Sequence, residues 1–137
     1  MPFVIDASIV LAYMLPDEND PVAASAMSAI AKKKPLAPLH WPIEIANGLL
    51  MAQRRRRITP AIRSNALADV ALLPVELDDL TIEMVWSRTS DIALRCNLSI
   101  YDAAYLELAI RKRLPLATLD DNLAKAARAE GVAVFAD

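Results

Sequence analysis

Asp6, Glu44, Asp102 and Asp120 are four carboxylates set among apolar residues, in the stretches "PFVIDASIVLAY", "WPIEIANGLL", "SIYDAAYLELA" and "PLATLDDNLAKAA". A carboxylate taken out of water costs several kcal/mol unless it is paired, hydrogen-bonded or bound to a cation. Asp6 interrupts an apolar run at the start of the chain, so it calls for such a partner. Glu44 and Asp102 each have a plain local explanation as first-turn acids that favour a helix dipole. Gathered in one place, however, four acids repel one another unless a cation neutralises them. A donor set of carboxylate oxygens without histidine or cysteine suits Mg²⁺ or Mn²⁺ and disfavours zinc. Two such ions about 3.5 to 4 Å apart can activate a water and stabilise the leaving oxygen of a phosphoryl displacement. The chemistry these residues suggest is phosphodiester hydrolysis.

Composition narrows the field. The chain of 137 residues has one histidine, His40, and one cysteine, Cys96. That leaves too few parts for histidine-pair or His/Cys nucleophile catalysis, for an internal disulfide, or for a thiolate zinc site. Cys96 reads as a small buried hydrophobe, and His40 as a residue that packs or caps near Trp41 and Pro42. Residues 1–137 are expected to form a single domain with one core. Hydrophobic residues make up 55% and charged residues 23% of the chain, which fits a compact globular protein. No apolar run reaches the roughly 18 residues of a membrane span, and the N-terminus lacks a basic leader region, so a cytoplasmic location is expected. The net charge of -2 argues against a chain that is basic throughout. Basic clusters do occur at Lys32 to Lys34, Arg54 to Arg57 and Arg111 to Arg113. Each follows an apolar-periodic segment, where helix capping and phosphate contact are both open.

The elements that must carry the acids alternate along the chain. "FVI" reads as a strand ending at Asp6, followed by a helix that opens with Ser8 as its candidate N-cap and stops at Pro16. Asp20-Pro21 and Thr59-Pro60 each combine a cap with proline at the first turn. Between these lie the short apolar stretch "PLAPLHW" and a helix from Pro42 with Ile43, Ala46, Leu50 and Met51 at helical spacing. "LPVEL" reads as a strand, after which Asp78 or Asp79 would cap a long helix over "LTIEMVWSRTSDIALRCN". Ser99 or the following turn opens the helix that carries Asp102. "LAT" and "VAVF" complete a set of five strands, with "NLAKAARAEG" between them as a helix ending at Gly131. Strands alternating with helices point to a three-layer α/β/α domain with a mostly parallel sheet and right-handed crossovers. Asp6 and Asp120 then fall at the carboxyl edge of that sheet, where open α/β folds place ligands.

The motifs "VIDASIV", "WPIEIANGLL", "SIYDAAYLELA" and "PLATLDDNLAKAA", in this order and at this spacing, resemble those of a PIN-domain ribonuclease. They look in particular like a VapC-type toxin of a bacterial type II toxin-antitoxin pair, over essentially the whole chain. The resemblance implies a five-stranded parallel sheet in the order 3-2-1-4-5. It also implies that Asp6, Glu44, Asp102 and an acid of the last motif bind Mg²⁺ or Mn²⁺, with RNA as the substrate. The family pattern Thr-x-Asp maps onto Thr118 and Asp120, with Asp121 next door as the alternative fourth ligand. Thr118 would orient Asp120 or a metal-bound water, and Ser8 would do similar work two residues after Asp6, unless it serves only as a cap. Asn47, one turn after Glu44, is a further candidate for a hydrogen bond near the site.

A homodimer and a cognate VapB-type antitoxin are implied as well. Tyr13, Met14, Leu49, Leu50 and Met51 supply more apolar positions than one core face needs, so an amphipathic partner helix or a dimer contact would find room there. Arg54, Arg55, Arg56 and Arg57 lie about three turns beyond Glu44, roughly 15 to 20 Å along a regular helix, and are candidates for RNA backbone or partner contacts. Two other phosphate-handling families fit poorly. A haloacid-dehalogenase-like phosphatase wants a second aspartate where Ser8 stands, and a phosphorelay receiver wants paired acids after its first strand and a lysine after its fifth. A PIN nuclease that processes RNA without an antitoxin, or a catalytically silent PIN binding module, are the remaining alternatives.

Overall fold

The sheet is assembled from very short strands, as the sparse apolar runs dictate, with those at Val4–Ile5 and Leu116–Ala117 fully buried and the edge strand at Glu76–Asp78 largely exposed. A computed structural model describes residues 1–135. Strands β1 (Val4–Ile5), β2 (Leu36–Pro38), β3 (Glu76–Asp78) and β4 (Leu116–Ala117) form a parallel sheet in the order β3-β2-β1-β4. Val4 pairs with Leu36 on one side and with Leu116 on the other, so β1 is central. Val4, Ile5, Leu116 and Ala117 have no exposed surface, as expected where helices cover a parallel sheet.

Among the described residues eight α-helices surround it: α1 (Ala7–Met14), α2 (Pro21–Lys33), α3 (Trp41–Arg54), α4 (Pro60–Ala71), α5 (Thr81–Met84), α6 (Ser90–Cys96), α7 (Ile100–Lys112) and α8 (Asp121–Ala129). Their starts follow local chemistry. Asp20 accepts from the amides of Val22 and Ala23, Thr59 from Ile62, and Ser99 from Asp102, each satisfying an otherwise orphaned helix N–H. Helices α1, α2, α3 and α4 pack as one group, while α7 packs against α6, α8 and strands β1, β2 and β4. Gly48 permits the close approach of α1 to α3, since a Cβ there would stand 2.5 Å from Leu11 Cδ1.

Three expectations need correction. Among the described residues the sheet has four strands in the order 3-2-1-4, not five in the order 3-2-1-4-5. The segment "VAVF" makes only a single parallel bridge, Leu116 with Val134, held by the Leu116 amide on Ala133 O and the Phe135 amide on Leu116 O. β4, two residues long, forms its two-pair ladder with β1 instead. The cap of α1 is Asp6, not Ser8, because the Asp6 carboxylate takes the Ser8 amide at 3.0 Å.

The long helix after β3 is the third. It divides into α5, a π-helical turn over Val85–Thr89, and α6. Ser90 Oγ donates to Val85 O, five residues back, the spacing of the widened turn. Neither Asp78 nor Asp79 is its cap residue. Leu80 holds that position, and the Asp78 carboxylate accepts the Leu80 amide from two residues away.

Candidate active site

Asp6 leaves β1 with its amide bonded to Ala117 O of the neighbouring strand, which seats the side chain at the carboxyl edge of the sheet. It is 4% exposed. Its Oδ1 accepts the amide and hydroxyl of Ser8, and its Oδ2 accepts the hydroxyl of Thr118 from the end of β4. Burial pushes its carboxyl up to about 6, against the opposing pull of these hydrogen bonds. Ser8 Oγ also accepts the Leu119 amide at 2.9 Å, and Thr118 Oγ1 the Asp120 amide at 3.0 Å. Two hydroxyls therefore lace the β1 and β4 ends together and bring Asp120 to the same edge.

Asp120 is the N-cap of α8, its Oδ1 accepting the Leu123 amide at 2.9 Å. Asp102, in the first turn of α7, is half-buried, and its carboxyl is raised by that burial and then by the negative charges of Asp120 and Glu44. Three of the acids expected to converge are thus within electrostatic reach of one another. Asp121 is exposed in the first turn of α8. Asn47 is exposed and takes no part in the hydrogen bonds that join the acids.

Glu44 stands in the first turn of α3. Two residues that sequence reasoning had not placed at the site meet it there. Tyr105 donates its hydroxyl to Glu44 Oε1 at 2.9 Å, and His40 Nε2 lies 2.9 Å from the same oxygen. Burial, with Glu44 beside it, keeps the Tyr105 phenol protonated. His40 occupies the cap position of α3 without a capping hydrogen bond from its side chain. A sequence signal for the histidine existed in its i, i+4 relation to Glu44. Tyr105 is 61 residues from Glu44 and carried none.

The donor set is chemically suited to a hard divalent cation, being oxygen-only, partly desolvated and crowded with like charge. Among the described residues no three His, Cys, Asp or Glu side chains already close into a ready cage. The hydrogen bonds to Glu44 and Asp120 fall on Oε1 and Oδ1 respectively.

A cleft of about 700 Å³ runs from Ser8 and Asp120 past Leu11, Leu15 and Met51 to Arg55 and Arg57. Arg54 closes α3, Arg55 caps it and Arg56 adopts a left-handed conformation. Arg57 is tied to Asp17 through two bonds of 2.9 Å and reaches Glu18. Of the apolar surplus expected near this cleft, Leu49 is core, Leu50 and Met51 are half-buried, and Tyr13 is exposed. Among the described residues no helix is long and apolar enough to cross a membrane.

The family model of the PIN domain matches residues 3–129. Ribonuclease VapC3 of Mycobacterium tuberculosis is 32% identical over 125 residues, covering 90% of this chain and 85% of that protein. Ribonuclease VapC3 of Pyrobaculum aerophilum is 30% identical over 125 residues, covering 91% and 94%. Among solved structures, PAE2754 from Pyrobaculum aerophilum superposes with a TM-score of 0.68 at 23% identity over 92% of this chain and 84% of that one, a likeness of fold. With its acids at the sheet edge and relatives of this similarity over most of its length, the chain belongs to the VapC-type ribonucleases of the PIN-domain family.

Proposed function

We propose that this chain hydrolyses RNA phosphodiester bonds with Mg²⁺ or Mn²⁺ held by Asp6, Glu44, Asp102 and Asp120, as the toxin of a VapBC-type pair. The observation that carries the site is the electrostatic coupling of Asp102 to Asp120 and Glu44 at the edge where Asp6 and Thr118 meet. Asp120 is the fourth ligand because its amide is fixed by Thr118 and its charge acts on Asp102, whereas Asp121 is exposed. Bound there, the cation would supply a Lewis acid and lower the pKa of an attacking water. The protein's own part is positional. Ser8 and Thr118 fix both oxygens of Asp6, Ser99 fixes the helix turn that presents Asp102, and the Asp120 cap fixes its Oδ1.

The cleft supports the substrate and partner assignments. Its Arg55 end suits an RNA backbone, and its Leu11, Leu15 and Met51 wall suits an apolar segment of a VapB-type antitoxin. A homodimer belongs to the same proposal. Purified protein should cut a structured RNA pool in Mg²⁺ or Mn²⁺, fail in EDTA, and lose activity in the Asp6→Asn, Asp102→Asn double variant. Cleavage that persists in that folded variant refutes the ligand assignment. Toxicity on expression, relieved by the product of a small neighbouring reading frame, tests the antitoxin. Light scattering of the purified chain tests the dimer.

A further inference from the structure

Glu44 is gripped from two helices at a single oxygen. Tyr105, 1% exposed in α7 and one turn beyond Asp102, donates its hydroxyl to Oε1 at 2.9 Å. His40 Nε2, one turn before Glu44 on α3, lies 2.9 Å from the same Oε1 and 3.1 Å from the carbonyl oxygen of Tyr101. Both of those neighbours are acceptors, so this ring nitrogen must carry a proton and serve as a donor. It is thereby withdrawn from service as a metal ligand. The two rings brace each other edge to face, with centroids 5.1 Å apart at 64°.

The consequence lies at the other oxygen. Both donors sit on Oε1, and none of the hydrogen bonds that hold Glu44 falls on Oε2. We propose that Tyr105 and His40 are positioning residues for Glu44, holding Oε1 so that Oε2 is the oxygen presented to a divalent cation. This rests on the metal-dependent reading above and adds a role to two residues outside its ligand set. A buried tyrosine that merely satisfies its hydroxyl would matter for stability alone, so the two roles separate by measurement.

The test is Mn²⁺ binding to the full chain, followed by the electron paramagnetic resonance signal of free Mn²⁺, alongside circular dichroism to certify folding. Wild type should bind Mn²⁺, and Glu44→Gln should bind it more weakly. Tyr105→Phe, which removes one hydroxyl and keeps the ring, should weaken Mn²⁺ by roughly tenfold or more, the usual effect of losing a group that orients a ligand. His40→Leu should do likewise, and His40→Gln, whose amide keeps a donor, should recover most of the loss. In cleavage assays the same variants should need more metal for half-maximal rate while KM for RNA stays unchanged. Wild-type Mn²⁺ affinity in folded Tyr105→Phe and His40→Leu would overturn the positioning role and leave the metal reading standing. Wild-type protein that neither binds Mn²⁺ nor cleaves in its presence would overturn the metal reading, and the positioning role with it.

Discussion

Replacing Asp6 by asparagine should make the metal-free protein relatively more stable at neutral pH while removing its activity. The Asp6 carboxyl is pushed from 3.8 up to about 6, chiefly by burial. Between about pH 4 and 6 the folded state therefore holds a proton that the unfolded state has released. Stability falls as pH rises through that window and does not recover above it. At about 1.36 kcal/mol per pKa unit, the interval corresponds to about 3 kcal/mol by pH 7.5. Asparagine does not titrate, so its stability curve lacks this loss.

The substitution also rearranges hydrogen bonds, but without a pH dependence. The carbonyl of the introduced amide would keep the two donors of Ser8, and its NH₂ would face Thr118 Oγ1, which already accepts from the Asp120 amide. A hydroxyl oxygen can accept twice, so the cost is the displaced Thr118 proton, about 1 kcal/mol. Urea unfolding in EDTA at pH 4, 5.5 and 7.5 should show the gap between wild type and Asp6→Asn moving by about 2–3 kcal/mol in favour of the variant. Added Mg²⁺ at pH 7.5 should stabilise wild type more than the variant and narrow the gap. A gap that stays constant across pH would refute the claim that burial sets the ionisation of Asp6.

Arg111 bonds both Asp78 and Glu107, which are 7% and 3% exposed, so Arg111→Leu strands two buried carboxylates and should cost about 3–5 kcal/mol in urea unfolding, with a loss under about 1 kcal/mol counting against the network. If Arg54, Arg55 and Arg56 contact phosphates, replacing all three by alanine should flatten the log–log salt dependence of RNA binding by about 2, at roughly 0.7 per contact on a single strand. Arg57, already engaged by Asp17 and Glu18, should add less to that slope, and an unchanged slope returns the run to helix capping.

Chemistry confined to a few neighbouring residues was legible in the sequence by itself. The Asp20-Pro21, Thr59-Pro60 and Ser99 caps rest on interactions spanning two or three residues, and the strands at "FVI" and "LAT", with Asp6 and Asp120 near their ends, were marked by their local apolar composition. The four acid motifs, taken with their order, were enough to identify the PIN family. The local signals failed where two valid options competed. Asp6 and Ser8 are both good caps; Asp6 takes the position through the Ser8 amide, while the Ser8 hydroxyl accepts the Leu119 amide, 111 residues away. The apolar run "VAVF" had the composition of a strand, but composition does not fix how a segment docks, and the run makes one bridge to β4, at Leu116 and Val134.

The surroundings of Glu44 belong to tertiary structure alone. Nothing near Glu44 in the chain points to Tyr105, because that contact exists only once α7 packs over the sheet beside α3. The same is true of Arg111 spanning 33 residues to reach Asp78. Sequence periodicity reports which face of an element is apolar, while the ionisation of Asp6 and Asp102 depends on what the folded chain removes from water and which charges it brings alongside.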